Sequence, residues 1–159
     1  MSDNNAIRLR RATLSDAEAL HRMQVAAFTP LLQKYRDTAI SPAAESLDRM
    51  REKLCQPETR FYFIMQERRA VGAIRVVIHD RPDRRKVISP LFIMAEYRNR
   101  GFAQQAIACV ERLYGAGHWA LDTILEEPGN CHLYEKLGYR RVGAQRVNDR
   151  MTIVDYEKD

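Results

Sequence analysis

Apolar and polar residues alternate from Ile7 to Arg11, with the two-residue period of a half-buried strand. Directly after it, Thr13-Leu14-Ser15-Asp16-Ala17-Glu18 reads as a helix start. Ser15 as N-cap and Glu18 three residues later make a capping box, and Asp16 and Glu18 suit the positive end of the helix dipole. Leu20, Met23, Ala27 and Leu31 then fall on one helical face, and Pro30 is expected to interrupt or kink the helix near its end. A second helix is expected from Ser41-Pro42, an N-cap followed by proline at the first helical position. Leu47, Met50 and Leu54 form its apolar stripe, and Pro57 lies beyond its end.

The period then changes. Phe61 to Met65, Ala70 to Ile78 and Val87 to Met94 are aromatic and β-branched runs. The polar links Gln66 to Arg69 and His79 to Lys86 are of hairpin size, so the three runs are expected to be antiparallel strands. Arg100 to Tyr114 follows as a helix with Ala103, Ile107, Val110 and Tyr114 on one face, ended by Gly115 and Gly117. Trp119 to Leu125 reads as a strand, and Cys131 to Leu137 as a short helix closed by Gly138. Tyr139 to Val147 and Met151 to Tyr156 read as a final hairpin with Asn148-Asp149 in its turn. The order β-α-α-β-β-β-α-β-α-β-β belongs to the mixed α/β class, a central, largely antiparallel sheet flanked by helices.

Length and composition narrow the setting. At 159 residues, 45% hydrophobic and 30% charged, the chain is expected to be one globular domain spanning residues 1–159, without a separate targeting or regulatory module. No apolar run approaches the roughly 20 residues of a membrane span, and Met1 to Arg11 has no apolar core of a secretory signal. Cys55, Cys109 and Cys131, odd in number and widely spaced, point to free thiols in a reducing cytoplasm. Cys109 is expected to be a small core residue. The net charge of +5 speaks to partners rather than fold. No Lys/Arg stripe or base-stacking aromatic motif is present, so a nucleic-acid partner is not expected.

The stretch richest in chemistry runs from Leu91 to Ala103, where a buried strand passes through a short turn directly into a helix. Such a junction aims free backbone N–H groups and the positive helix end at one spot, which favours an anion, typically phosphate. Gly101 lets an anion approach the backbone closely, and Arg98 and Arg100 add positive charge. A tight turn flanked by solvated arginines is the alternative for the same residues. Neither a Gly-Lys-Ser/Thr P-loop nor a G-x-G-x-x-G dinucleotide fingerprint occurs.

Arg98-Asn99-Arg100-Gly101-Phe102-Ala103 resembles the Arg/Gln-x-x-Gly-x-Gly/Ala turn of the GNAT superfamily of N-acetyltransferases. Leu133-Tyr134-Glu135-Lys136-Leu137-Gly138-Tyr139 resembles that family's Leu-Tyr-Glu-Lys-x-Gly-Phe/Tyr signature, and Leu91 to Met94 its fourth strand. The resemblance is specific over about residues 87–143, and the element order matches along the whole chain. Two departures stand out: Ala103 where many members have glycine, and no asparagine on the approach to the last helix unless Asn130 takes its place.

The resemblance implies acetyl-CoA as co-substrate, its pyrophosphate on the amides of Arg98, Asn99, Arg100, Gly101, Phe102 and Ala103. The pantetheine arm would lie along Phe92, Ile93 and Met94, where a backbone N–H would stabilise the oxyanion. Tyr134 matches the tyrosine that faces the thioester sulfur; packing against Leu137 is the structural alternative. Ordinary pKa values are about 10 for tyrosine and about 8.5 for a thiol, so a hydrogen bond developing in the transition state is the safer role.

The acceptor amine must lose a proton to attack. Glu126 and Glu127 are the leading general-base candidates, with Asp122, His79 and Glu96 as further options. Acceptor contacts are expected from the first two helices and their link, where Phe28, Tyr35 and Arg36 stand out. Cys131-His132 are adjacent and no Cys-x-x-Cys occurs, so no metal site is expected. The expected function is transfer of acetyl from acetyl-CoA to a primary amine of a small molecule or polypeptide, by direct attack in a ternary complex. A catalytically inactive acyl-CoA-binding sensor or partner protein is the alternative. A homodimer is compatible with either.

Overall fold

The computed structural model describes residues 6–159. The part of the N-terminal reading that concerns Met1 to Asn5 lies outside them. Strand β1 (Arg8–Arg11) leads to helix α1 (Ala17–Tyr35) and helix α2 (Leu47–Cys55). Three strands follow, β2 (Thr59–Gln66), β3 (Arg69–Val77) and β4 (Lys86–Ile93), then α3 (Phe102–Tyr114), β5 (Trp119–Ile124) and α4 (Pro128–Lys136). The hairpin β6 (Arg140–Asn148) and β7 (Met151–Lys158) completes the chain. The strands form one seven-stranded sheet in the order β1-β2-β3-β4-β5-β7-β6. Every neighbouring pair is antiparallel except β4 and β5, which are parallel.

Helices on both faces explain why the middle strands read as continuous apolar runs rather than strict alternations. On β2, Tyr62 and Ile64 face the core under α3 and α4, while Phe61, Phe63 and Met65 face the core under α1 and α2. Trp119 is fully buried, and its indole N–H donates to the Gly115 carbonyl at 2.7 Å. Each such large side chain removed from water stabilises the fold by roughly 1.5–3 kcal/mol. Many of the basic residues are paired with carboxylates at the surface: Arg85 with Glu157 at 3.3 Å, Arg140 with Asp159 at 2.9 Å, Arg141 with Glu135 at 3.1 Å.

Several boundaries differ from the sequence expectation. The capping box lies two residues earlier: the Thr13 N–H donates to the Asp16 carboxylate at 2.8 Å, and a short 3-10 turn, Leu14–Asp16, precedes α1. Pro30 does not end α1, which continues to a buried Tyr35. The last turn is tied down from outside, since the Asn148 amide donates to the Tyr35 carbonyl at 2.8 Å. Ser41 caps only a 3-10 turn, Pro42–Ala44, while Ser46, whose hydroxyl accepts from the Arg49 N–H at 3.0 Å, starts α2. On α3 the buried face is Phe102, Ala106, Ile107 and Val110, so Ala103 is turned away from the core. Helix α4 begins three residues before Cys131, at Pro128. The buried cysteine is Cys131; Cys109 is half-buried, and all three thiols are free.

The feature that positions the site is a split in the sheet. Strands β4 and β5 pair only at Lys86 with Trp119 and Val87 with Ala120. Beyond Val87 they diverge. On its other side β4 carries a bulge, Ser89-Pro90 standing opposite Arg75 of β3. Proline cannot donate to a ladder and is confined to edges and bulges, so Pro90 sits where the strand has become an edge.

Candidate active site

The split opens into a cleft of about 980 Å³ bordered by α1, β4, the β4–α3 turn, β5, α4 and the β6–β7 hairpin. Its β4 wall presents backbone donors. The Met94 N–H donates to the Val71 carbonyl at 2.8 Å, and Ala73 and Phe92 are ladder partners two residues on. Alternation in an antiparallel ladder therefore points the N–H groups of Phe92 and Met94 at β3, and those of Leu91 and Ile93 into the cleft. Of the expected Phe92 to Met94 segment, Ile93 is the residue with its N–H turned towards the gap.

After β4 a 3-10 turn, Ala95–Tyr97, leads to Asn99 at φ +64° and Gly101 at φ +80°, which caps α3. The first α3 bond runs from the Gln105 N–H to the Gly101 carbonyl at 3.1 Å, so Phe102, Ala103 and Gln104 have N–H groups without a helical acceptor. The first turn carries no acidic side chain. A Cβ built on Gly101 would meet nothing within 4 Å. The junction is therefore an open, electropositive cradle of backbone donors. Its two arginines differ: Arg98 donates to the carbonyls of Ile93 at 3.1 Å and Ala27 at 3.4 Å, bracing β4 against α1. Arg100 is exposed and lies over the Tyr97 ring at 5.7 Å.

Tyr134 borders the cleft from α4 and is only 8% exposed. Its ring packs against Tyr139 and Tyr156 with centroids 6.1 and 6.0 Å away, which fixes its direction. Among the described residues its hydroxyl has no protein hydrogen-bond partner. Burial, reinforced by the charge of Asp122 and by Cys131, pushes its pKa well above the ordinary tyrosine value, so the hydroxyl keeps its proton. Leu137 also packs against this core, so the packing role and the cleft-facing hydroxyl coexist.

The carboxylates divide into engaged and unengaged. Glu126 accepts from the Thr152 N–H at 2.8 Å, does not border the cleft, and that hydrogen bond holds its pKa below the ordinary value. Glu127 borders the cleft but accepts from Lys34 at 2.7 Å and from the Tyr35 hydroxyl. Burial raises its pKa, yet the hydrogen bonds and the charges of Lys34 and Arg98 outweigh that and leave it lowered. Asp122 behaves differently. It borders the cleft, exposed to the cleft's solvent and without a protein partner among the described residues; partial desolvation by the surrounding walls, then the charge of Asp155, raises its carboxyl. Asp155 is its direct cross-strand neighbour and borders the same space.

The remaining candidates are scattered. His79 lies in the β3–β4 link and Glu96 on the exposed 3-10 turn, and neither borders the cleft. Phe28 does, edge-on to Phe92 at 5.7 Å, as does Asn130. Tyr35 is buried behind Glu127, and Arg36 is the exposed left-handed cap of α1. Asp155 and Asp37 carry no motif, and only the register and the path of the α1–α2 link bring them to the cleft. Among the described residues no group of three His, Cys, Asp or Glu side chains is placed to hold a metal, and no helix is long and apolar enough to cross a membrane.

A family model described as an acetyltransferase (GNAT) domain matches residues 17–159. The chain belongs to the GNAT acetyltransferase family. Solved structures similar to it share the fold of this GNAT chain over nearly all their length. An acetyltransferase from Thermus thermophilus aligns with a TM-score of 0.71 at 18% identity, covering 95% of each chain. A spermidine N-acetyltransferase from Vibrio cholerae, solved with CoA and spermine, aligns at 0.70 and 18% identity over 94% of this chain and 93% of its own. An acetyltransferase from Salmonella typhimurium, described as modifying the N-terminal serine of a 50S ribosomal subunit protein, aligns at 0.71 and 15% identity over 94% of this chain and 92% of its own. No curated protein matches the sequence.

Proposed function

We propose that residues 1–159 act as one domain that transfers acetyl from acetyl-CoA to a primary amine by direct attack in a ternary complex. One observation carries this reading. A single cleft holds the open N-terminus of α3 at Gly101, the inward N–H groups of β4, and a protonated, unpartnered Tyr134 hydroxyl close enough to feel Asp122. The residues fit acetyl-CoA. Phe102, Ala103 and Gln104 offer amides to a pyrophosphate where a Cβ would find open space, and Leu91 and Ile93 offer strand-edge N–H groups to a pantetheine arm. When bound, acetyl-CoA supplies an electrophilic thioester carbonyl.

The protein's own groups then have separable tasks. The Ile93 N–H stabilises negative charge on the carbonyl oxygen as the amine nitrogen forms its bond to carbon. Asp122, raised and without a cation of its own, takes the proton that the amine loses, directly or through water. Tyr134 donates a hydrogen bond to the sulfur as the carbon–sulfur bond breaks, and the thiolate ends as the thiol with a proton from solvent. Asp122 suits the base role better than Glu126 or Glu127, whose carboxylates are engaged and lowered. Three free cysteines support a reducing, cytoplasmic setting.

The test is incubation with acetyl-CoA and a panel of amines, following thiol release and thermal stability. Release that depends on the amine supports the proposal. Stabilisation by CoA without release from any amine would favour the sensor, and no stabilisation at all would remove the site from this cleft.

A further inference from the structure

Arg98 stands in the turn between β4 and α3, and its guanidinium reaches back across the strand that precedes it. Nε donates to the Ile93 carbonyl at 3.1 Å, and Nη2 to the Ala27 carbonyl of α1 at 3.4 Å. All three residues border the cleft. One planar fork therefore joins β4 to α1 on the cleft side. Glu127, at the start of α4, lies near enough to feel the same charge. Arg100, in the same turn, makes no such bond among the described residues and stays exposed over the Tyr97 ring.

The Arg98 bond falls on a particular peptide. In an antiparallel ladder the N–H and C=O of one residue point the same way, so the Ile93 carbonyl shares the cleft side with the Ile93 N–H. The Ile93–Met94 peptide is thus held from both sides, its N–H by the Val71 carbonyl at 2.8 Å and its carbonyl by Arg98. Leu91, two residues earlier, has no side-chain donor on its carbonyl among the described residues. A chain that pairs with the β4 edge can use both backbone groups of Leu91. At Ile93 the carbonyl is taken, and only the N–H remains.

We propose that the Arg98 side chain is a positioning group for acyl transfer rather than a phosphate ligand. By occupying the Ile93 carbonyl and anchoring it to α1, it ends strand-like pairing along β4 and keeps the Ile93 N–H for the thioester carbonyl. This rests on the acetyltransferase reading of the same cleft. Lysine cannot replace the group, because a single ammonium is a point charge and lacks the planar fork that meets carbonyls on two elements.

The experiment titrates CoA and acetyl-CoA, without amine, into the unmodified protein and into Arg98→Lys, Arg98→Gln and Arg100→Gln. Only acetyl-CoA carries the carbonyl that the Ile93 N–H receives, so the unmodified protein should bind it about 3-fold or more tightly than CoA, the scale of one hydrogen bond. Both Arg98 variants should lose that advantage while holding CoA within about 3-fold of the unmodified protein. Arg100→Gln should weaken both ligands together and leave the advantage in place. With the best amine of the panel, kcat of Arg98→Lys should fall about 10-fold or more at saturating acetyl-CoA, as for a misaimed catalytic group. General loosening of the fold would weaken CoA and acetyl-CoA alike, so the contrast between them separates positioning from a merely structural role. Equal affinity of the unmodified protein for both ligands, or an advantage that survives in both Arg98 variants, overturns the proposal. So does a parallel loss of both ligands in Arg98→Gln that Arg98→Lys restores, the behaviour of a phosphate ligand. Those outcomes leave the acetyltransferase reading standing, whereas an unmodified protein that binds neither ligand overturns that reading as well.

Discussion

Asp122 on β5 and Asp155 on β7 stand directly opposite one another in an antiparallel pair, on the face that borders the cleft, with no cation between them. Like charges so placed destabilise a sheet by about 0.2–1 kcal/mol. The pair works against the fold.

Asp122→Asn is therefore expected to stabilise the protein and disable it. The folded-state pKa of Asp122 is raised above its ordinary 3.8, so the carboxyl is neutral in both states well below that value and carries no penalty there. The penalty appears as pH rises through the folded-state value and is complete at neutrality. Thermal melts at pH 7 should show the variant up to about 4 °C more stable, with the difference vanishing in acid. Turnover should fall by about 100-fold or more, as for loss of a general base. In the unmodified enzyme the acid limb of kcat should lie above the ordinary aspartate range and disappear in the variant. A variant with full activity would remove Asp122 from proton transfer.

Tyr134→Phe should lower kcat by about 100-fold while leaving the affinity for CoA and the melting temperature nearly unchanged. The hydroxyl has no protein partner to lose, and the ring contacts with Tyr139 and Tyr156 persist in phenylalanine. Because its pKa is raised, Tyr134 should contribute no titration to the alkaline limb below the ordinary tyrosine range. Unchanged turnover would reduce Tyr134 to a packing residue.

Gly101→Glu should abolish stabilisation by CoA in a protein that still folds. A side chain there enters open space, so no neighbour must move, and the positive φ costs a non-glycine residue about 1–2 kcal/mol. The added carboxylate meets the backbone donors proposed for the pyrophosphate and repels it. Circular dichroism with thermal shifts by CoA checks both halves, and normal CoA binding would place the anion site elsewhere.

Gly72→Ala tests the β4 wall from behind. A Cβ there would overlap the Phe92 carbonyl oxygen and crowd Ile93, both backbone-adjacent obstacles that cannot rotate away. The expected result is a loss of about 1–3 kcal/mol in chemical denaturation, with weakened CoA binding because β4 is displaced. An unperturbed variant would show that β3 and β4 separate more easily than their ladder implies.

Elements with strong local signals were legible without tertiary information. The aromatic and β-branched runs gave β2, β3 and β4 within a residue or two, and the turn at Gly101 and the Leu133–Tyr139 signature located the α3 and α4 contributions. Pro30 misled because its cost to α1 is offset by contacts from the distant β6–β7 hairpin, which holds the last turn. The Ser41-Pro42 and Ser15 caps misled because several serines and threonines can each cap a turn, and only the surrounding packing selects among them.

By itself the sequence determined the class of fold, the order of elements, the turn proposed to bind an anion and the candidate tyrosine, because each rests on residues close together in the chain. The tertiary structure decided which β4 amides face the gap, since that depends on a ladder phase set by β3. It also decided which carboxylate is unengaged. Glu126, Glu127 and Asp122 are equivalent as letters, and they differ only because Thr152, Lys34 and Tyr35 reach the first two while the third is left facing Asp155. A pKa is a property of an environment, and these environments are assembled from residues far apart in the chain.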